Sequence, residues 1–190
     1  MSGAGGRRSS ATAAAAGTLW QARAMAWATA DLERVFRECF LAEFETILVG
    51  GGSEPLYLPS EDPAREPHRI VYREDYFASA LHEIAHWCLA GRDRRKLEDY
   101  GYWYRPDGRN AEEQAEFERA EARPQAIEWI FSEACGIAFH LSADNLAGAF
   151  GPSRRFEENV RAARAGFLDR GLPPRAARFL AALRVARGPG

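Results

Sequence analysis

Two of the chain's four histidines lie four residues apart in the segment SALHEIAHWCLAG, residues 79–91, and a glutamate directly follows the first of them. On an α-helix, residues i and i+4 share one face about 6 Å apart, so His82 and His86 can direct imidazole nitrogens at one divalent ion. Glu83 is rotated by about 100° from His82 and can reach a metal-bound water from the side. The spacing therefore predicts a metal site rather than two core histidines bonded to carbonyls.

A metal ion that keeps positions open for chemistry needs a third protein ligand. The longer form of the motif, which adds a glycine and a third histidine, is not present because those places hold Leu89 and Arg92. The other two histidines, His68 and His140, are isolated in the sequence. A carboxylate is therefore the better candidate for the third ligand.

Acidic and amide side chains recur on one face of a later helical segment. Glu121, Gln125 and Glu128 follow the spacing i, i+4 and i+7, and Glu121 lies 35 residues after His86. We expect Glu121 to be the third ligand, and Gln125 to orient it by a hydrogen bond. Glu118 and Glu128 are the alternative ligands.

Two histidines and one carboxylate around an open metal face serve two different chemistries. With zinc, the ion polarises a carbonyl group and Glu83 deprotonates water, which gives a peptidase. With ferrous iron, the same three ligands leave adjacent positions for dioxygen and substrate, which gives an oxygenase. The spacing of the residues does not separate the peptidase from the oxygenase. A third alternative is a binding module in which the metal has only a structural role.

The elements that must position this site follow from periodicity and turn signals. Apolar residues recur at helical spacing over about residues 26–40, with Asp31 or Thr29 as the N-cap. Short β-like runs follow, separated by a glycine cluster and a proline-rich loop: TILVG, PLYL, and RIVY at residues 69–72.

The motif itself is expected on a helix that follows the last of these runs. Asp75 is the expected N-cap of this helix and Gly91 its C-terminal stop. Residues 111–140 are helical in pattern, and Pro124 marks either a kink or the first turn of a new helix. Two further helices are expected at about residues 153–169 and 174–186. This order of elements indicates an α+β fold with a helical C-terminal half.

The length and composition of the chain limit the classes of protein to which it can belong. The chain has 190 residues and 46% hydrophobic content, enough for one sizeable core, whereas its first residues offer almost nothing to bury. We therefore expect a disordered tail at residues 1–25 and a single metal-binding domain at residues 26–190. No run approaches the length of about 18 apolar residues that a membrane span needs. The three cysteines are widely spaced, which argues against a disulfide framework and favours a cytoplasmic location: Cys39, Cys88 and Cys135.

The net charge of −2 is unevenly distributed along the chain. Residues 151–190 hold nine arginines against three acidic residues, which leaves an acidic excess upstream. A segregated basic face favours an acidic partner, although solvated helix surfaces explain the same pattern. No lysine-rich patch interleaved with aromatic residues is found, so we expect no direct contact with nucleic acid.

Beyond the metal motif, several longer segments together resemble the elongation factor P hydroxylase family. The resemblance spans roughly residues 30–185, and the segments that carry it are EPLYLP, RIVYREDYFASALHEIAHWCLAG, DYGYWYRPDGR, RPQAIEW and SADNL. It implies hydroxylation of a lysine of elongation factor P that already carries a β-lysyl group, with Fe(II) as the metal and O2 as cosubstrate. It also implies a zincin-like fold, in which the helix with the motif packs on a small β-sheet.

The resemblance further implies that His82, His86 and a glutamate matched to Glu121 hold the metal. Elongation factor P is acidic overall, which gives the arginine surplus a use in docking. Glu83 would move protons or orient water. A cationic substrate arm calls for a channel with aromatic and acidic walls, for which composition alone suggests Tyr102, Trp103, Tyr104 and Asp107. The main alternative function is a zinc metallopeptidase. The sequence has no H-x-D pair followed by a later histidine and arginine, which is the order found in 2-oxoglutarate-dependent enzymes. A 2-oxoglutarate cosubstrate is therefore not implied.

Overall fold

A computed structural model describes residues 27–99, 109–142 and 152–188 of the chain. The expected tail at residues 1–25 lies outside these residues. Within them the chain forms five α-helices, three β-strands and one 3-10 turn, in the order α1 Thr29–Phe44, β1 Thr46–Gly52, β2 Leu56–Leu58, β3 His68–Arg73, α2 Phe77–Leu89, the 3-10 turn Arg94–Lys96, α3 Ala111–Cys135, α4 Arg154–Arg170 and α5 Pro174–Arg187. The α+β class and the helical C-terminal half are confirmed.

The three strands form one small sheet with β3 in the centre. β1 pairs with β3 in parallel, with Leu48 opposite Ile70, and β2 pairs with β3 in antiparallel orientation on the other side. Leu48, Ile70 and Tyr72 are buried, as expected for alternate residues on the covered face of a sheet. All three strands predicted from the β-like runs are confirmed.

Helix α2 follows β3 after a short turn and packs on that strand. The helix presents an apolar face to the core, because Ala80, Leu81, Ile84, Ala85 and Cys88 are all buried. Its opposite side faces α3. The motif helix is therefore held between the sheet and the longest helix of the described chain.

Aromatic residues fill the core where α1, α2 and α5 meet. Phe36 lies with its ring centroid 5.1 Å from that of Trp87 and 6.0 Å from that of Phe179. Phe40 contacts the same two rings at 4.8 and 6.3 Å. Edge-to-face and tilted pairs of this kind each add about 0.5–1.5 kcal/mol beyond the area they bury. Through Trp87, this cluster holds α2 against α1 and α5.

The first two helices do not begin with the predicted N-caps, because the side chains of Thr29 and Asp75 bond to each other. Helix α1 begins at Thr29, and its N-cap is Ala28, whose N–H donates to the Asp31 carboxylate at 3.0 Å. The Thr29 hydroxyl instead donates to Asp75. The prediction of Asp75 as the α2 N-cap is wrong, because the N-cap is Tyr76 and the Asp75 carboxylate is engaged by a residue 46 positions earlier.

Helix α3 runs without a break through Pro124, so this proline does not begin a new helix. Because Pro124 has no N–H, the carbonyl of Ala120 loses its regular helical donor. Asn110 caps the start by accepting from the N–H groups of Glu112 and Glu113, and Gly136 ends the helix in the left-handed region with φ 73°. The predicted extension of this helix to residue 140 is wrong.

The C-terminal helices and the cysteines agree with the sequence predictions. The two C-terminal helices fall close to their predicted bounds, and all three cysteines are buried, free thiols. None of the five α-helices in the described ranges combines the length and low polarity that crossing a bilayer requires.

Candidate metal centre

The two histidines of the motif lie on the same face of α2 and direct the same ring nitrogen at one point. His82 Nε2 and His86 Nε2 are 3.0 Å apart, and the two ring centroids are 4.6 Å apart. The i, i+4 spacing places the two side chains one helical turn apart on the same face, so both Nε2 atoms reach the same point.

Helix α3 supplies a carboxylate at the same point. Glu121 Oε1 lies 3.2 Å from His86 Nε2, and Glu121 Oε2 lies 3.4 Å from His82 Nε2. Glu121 is 3% exposed, and its Oε2 has no hydrogen-bond partner in the described part of the chain. A buried carboxylate oxygen without a partner is costly unless a cation approaches it.

These separations suit a shared metal ion. Metal–nitrogen bonds of about 2.0–2.1 Å place neighbouring ligand atoms about 2.9 Å apart at a right angle and about 3.3 Å apart at the tetrahedral angle. The three observed separations, 3.0, 3.2 and 3.4 Å, fall around these values. His82, His86 and Glu121 also form the only cluster of three or more His, Cys, Asp or Glu ligand atoms within 4.8 Å in the described residues. The donor set therefore fits a divalent ion.

A second glutamate of α3 fixes the orientation of His82. Its Nδ1 lies 2.8 Å from Glu128 Oε2, so Nδ1–H donates to the carboxylate, and Nε2 is the ring nitrogen left for a metal once it gives up its proton. Histidines that bind metals are commonly held in this way by an acidic partner on the other ring nitrogen. Glu128 thus lies behind His82 rather than among the three converging ligand atoms.

The charges of the cluster shift several pKa values. Burial lowers the pKa of His82, but the Glu128 hydrogen bond and the negative charge of Glu121 outweigh it and raise the pKa to about 10. Burial raises the pKa of Glu121, whereas the positive charge and hydrogen bond of His86 lower it to about 2. The cluster is an environment built around a positive charge, whether proton or metal ion.

Glu83 lies on the neighbouring side of α2 and lines a cavity together with His86. Burial raises the pKa of the Glu83 carboxyl, while the charges of the two histidines lower it. A carboxyl group with a raised pKa beside an open metal face is suited to accepting and returning a proton.

The two remaining candidates on α3 have defined partners. Gln125 bonds the backbone of Ser142, with Nε2 donating to its carbonyl at 2.7 Å and Oε1 accepting from its N–H at 3.1 Å. A hydrogen bond from Gln125 also lowers the pKa of Glu121. Glu118 accepts from the N–H and hydroxyl of Ser153, the N-cap of α4, and is directed away from the histidines.

The other residues considered from sequence lie elsewhere. His68 belongs to β3, where its Nδ1 accepts from the N–H of Ser60 at 2.7 Å. His140 is exposed beyond the end of α3. The four candidates for substrate contact lie outside the described residues: Tyr102, Trp103, Tyr104 and Asp107.

One residue that sequence reasoning missed anchors the motif helix. Arg175 lies at the start of α5, and the two N–H groups of its Nη2 are shared among three carbonyls: those of Trp87 at 2.9 Å, Cys88 at 3.2 Å and Ala90. Its guanidinium lies 4.8 Å from the centroid of the Trp87 ring. These contacts satisfy carbonyls at the C-terminal end of α2, within one turn after His86. No local sequence pattern identifies Arg175 as an anchor of α2, because its partners lie 85–88 residues earlier.

The C-terminal arginine surplus is largely used within the fold. Four of the nine arginines make ion pairs with glutamates: Arg154, Arg161, Arg164 and Arg178. Arg175 and Arg187 donate to backbone carbonyls. Six of the nine arginines therefore have partners within the chain, although Arg154, Arg161 and Arg178 remain on the surface.

Fold and site together define a class of protein: a small α+β protein with a candidate centre of two histidines and one carboxylate between two helices. Residues 35–188 match the family model described as "Elongation factor P hydroxylase". The chain is also 48% identical over 147 residues to the "Elongation factor P lysine hydroxylase" of Haemophilus influenzae, covering 77% of this chain and 82% of that protein. The chain therefore belongs to the elongation factor P hydroxylase family.

Proposed function

We propose that this protein hydroxylates the β-lysyl-modified lysine of elongation factor P in the cytoplasm, using Fe(II) and O2. The observation that supports this most is the convergence of His82, His86 and Glu121 on one point in a chain that belongs to this family. Three ligands of this kind on one side of an ion leave positions for dioxygen and substrate.

In this proposal the protein side chains have distinct roles. His82, His86 and Glu121 hold the metal, which supplies the activation of dioxygen when it is bound. Glu128 keeps the His82 Nδ1 proton in place, so that Nε2 is free to act as a ligand. Glu83 transfers protons in the adjoining cavity, where its carboxyl lies beside His86. Gln125 orients Glu121.

We also infer a zincin-like arrangement, because α2 with its two histidines packs on a small sheet and receives its third ligand from a later helix. The aromatic segment with Tyr102, Trp103, Tyr104 and Asp107 directly follows Asp99, which lines the cavity beside the metal centre. This position in the chain supports the proposal that the segment contacts the substrate arm.

A zinc peptidase is the second candidate, since Glu83 and the same three ligands would also serve peptide hydrolysis. Metal content separates the two. Iron that is required for activity and removed by chelation supports the hydroxylase, whereas zinc with casein cleavage supports the peptidase.

The decisive test is mass spectrometry of elongation factor P that carries the β-lysyl group. Incubation with the Fe(II)-loaded protein and O2 is expected to add one oxygen atom to the modified lysine. The His86→Ala variant is expected to lose this activity by at least about 100-fold, while His140→Ala, which removes an exposed histidine that is not part of the ligand cluster, retains it. No added oxygen with the wild-type protein contradicts the proposal.

A further inference from the structure

A cavity of about 330 Å³ opens beside the candidate metal centre and is lined by His86 and Glu83. Its volume lies at the lower end of the range for small-molecule sites, roughly 300–1,000 Å³. Tyr57, Ile70 and Trp87 give it apolar walls. A molecule bound in this cavity would lie next to two residues of the metal motif.

Arginines outnumber acidic residues in the lining of this cavity, which favours the binding of an anion there. Its acidic lining residues are Glu83, whose carboxyl faces the histidines, and Asp99, which pairs with Arg94. Arg95 and Arg123 also line the cavity, and neither forms an ion pair with any residue in the described ranges. Among the described residues, neither guanidinium therefore has a carboxylate partner, and that of Arg123 also lies 5.6 Å from the centroid of the Phe167 ring.

Arg95 is the more informative of the two, because it is partly desolvated. Its guanidinium lies 5.2 Å from the centroid of the Phe44 ring and 5.7 Å from that of Trp87. Its Nε is buried and has no hydrogen-bond partner within the described ranges. Arg175 stacks on the same two rings, at 5.7 and 4.8 Å, so two like charges share one aromatic platform. An anion in the cavity would offset this repulsion and supply a partner for Arg95.

The proposed reaction needs a second reactant that fits this description. Hydroxylation of a C–H bond inserts one atom of O2 and reduces the other to water, which requires two electrons and two protons. With a two-electron donor AH2 the balance is RH + O2 + AH2 → ROH + A + H2O. Donors with a carboxyl group or an acidic enol are anions at neutral pH and bind preferentially to arginine.

We propose that Arg95 and Arg123 form an anion-binding subsite beside the metal, and that the subsite takes a small organic anion that donates these two electrons. The role of electron donor rests on the proposed function, whereas anion binding rests on the cavity alone. An acidic side chain of elongation factor P could present the same carboxylate chemistry, so the test must separate the two sources.

The test is calorimetric titration of ascorbate into the Fe(II)-loaded protein under nitrogen, with 2-oxoglutarate as a second probe. The double variant Arg95→Gln/Arg123→Gln is expected to bind ascorbate at least tenfold more weakly while its iron content is unchanged. Arg155→Gln removes an exposed arginine that does not line the cavity, and is expected to bind as the wild type does. Equal binding by the double variant and the wild type overturns the proposal, as does a wild-type protein that binds neither probe.

A parallel titration with elongation factor P distinguishes the source of the anion. If the double variant binds ascorbate normally but loses affinity for elongation factor P, the subsite holds a carboxylate of the protein substrate and the small-donor assignment is wrong. Failure of the proposed function is separable: wild-type protein that binds ascorbate through these arginines but adds no oxygen to elongation factor P retains the subsite and loses the hydroxylase assignment.

Discussion

Replacing Glu128 with Gln tests the carboxylate that supports His82. The His82 Nδ1 to Glu128 Oε2 distance is 2.8 Å, and Glu128 is 7% exposed, so the hydrogen bond is charge-assisted and shielded from water. Glutamine keeps an acceptor in the same place but removes the charge. Loss of such an outer partner costs about 10- to 100-fold in metal affinity, and charge-assisted hydrogen bonds are about twice as strong as neutral ones.

We therefore expect Glu128→Gln to weaken metal binding about tenfold and Glu128→Ala about 100-fold, which correspond to about 1.4 and 2.7 kcal/mol. The assay is competition for Fe(II) or Co(II) against a chelator of known affinity, with circular dichroism as the check on folding. Glu116→Gln is the matched control, since Glu116 is an exposed glutamate of the same helix. If Glu128→Gln binds metal within twofold of the wild type, the carboxylate does not orient a metal ligand and this reasoning fails.

Further predictions concern catalysis and stability. Glu83→Gln is expected to bind metal normally but to hydroxylate at least 100-fold more slowly, because general acid–base catalysis contributes about 10²- to 10⁴-fold; unchanged turnover contradicts the proton-transfer role. Arg175→Ala should lower the free energy of unfolding by about 3 kcal/mol in urea titration, since it leaves carbonyls at the end of α2 without donors, and a change below about 1 kcal/mol would contradict the anchor. Ser153→Ala should cost about 1–2 kcal/mol by the same measurement, because it removes the α4 cap and a partner of buried Glu118; an unchanged midpoint would be inconsistent with this. Metal at 100 times its dissociation constant should stabilise the wild type by about 2.7 kcal/mol and His86→Ala far less.

Local periodicity accounts for most of the elements, and long-range contacts account for the wrongly predicted N-cap of α2. The i, i+4 spacing of His82 and His86 predicts their shared face, since that face is a property of one helix. Asp75 has the chemistry and position of an N-cap, yet it accepts from Thr29 on another helix. Such a partner, 46 residues away, leaves no trace in a local pattern.

The carboxylates on α3 show the same limit at the site. Glu121 and Glu128 lie on one helix face, so periodicity brings both toward His82 but does not say which reaches Nε2 and which Nδ1. That division depends on how α2 packs against α3. Glu118 is an alternative ligand by sequence, but its carboxylate accepts from Ser153, the N-cap of α4, a residue 35 positions later.

The most direct test of the central claim is an anomalous difference map at the iron absorption edge, from crystals of the Fe(II)-loaded protein grown under nitrogen. We expect one strong peak within about 2.0–2.3 Å of Nε2 of His82, Nε2 of His86 and a carboxylate oxygen of Glu121. A peak at any other group of side chains, or no peak between these three residues in fully loaded protein, would contradict it.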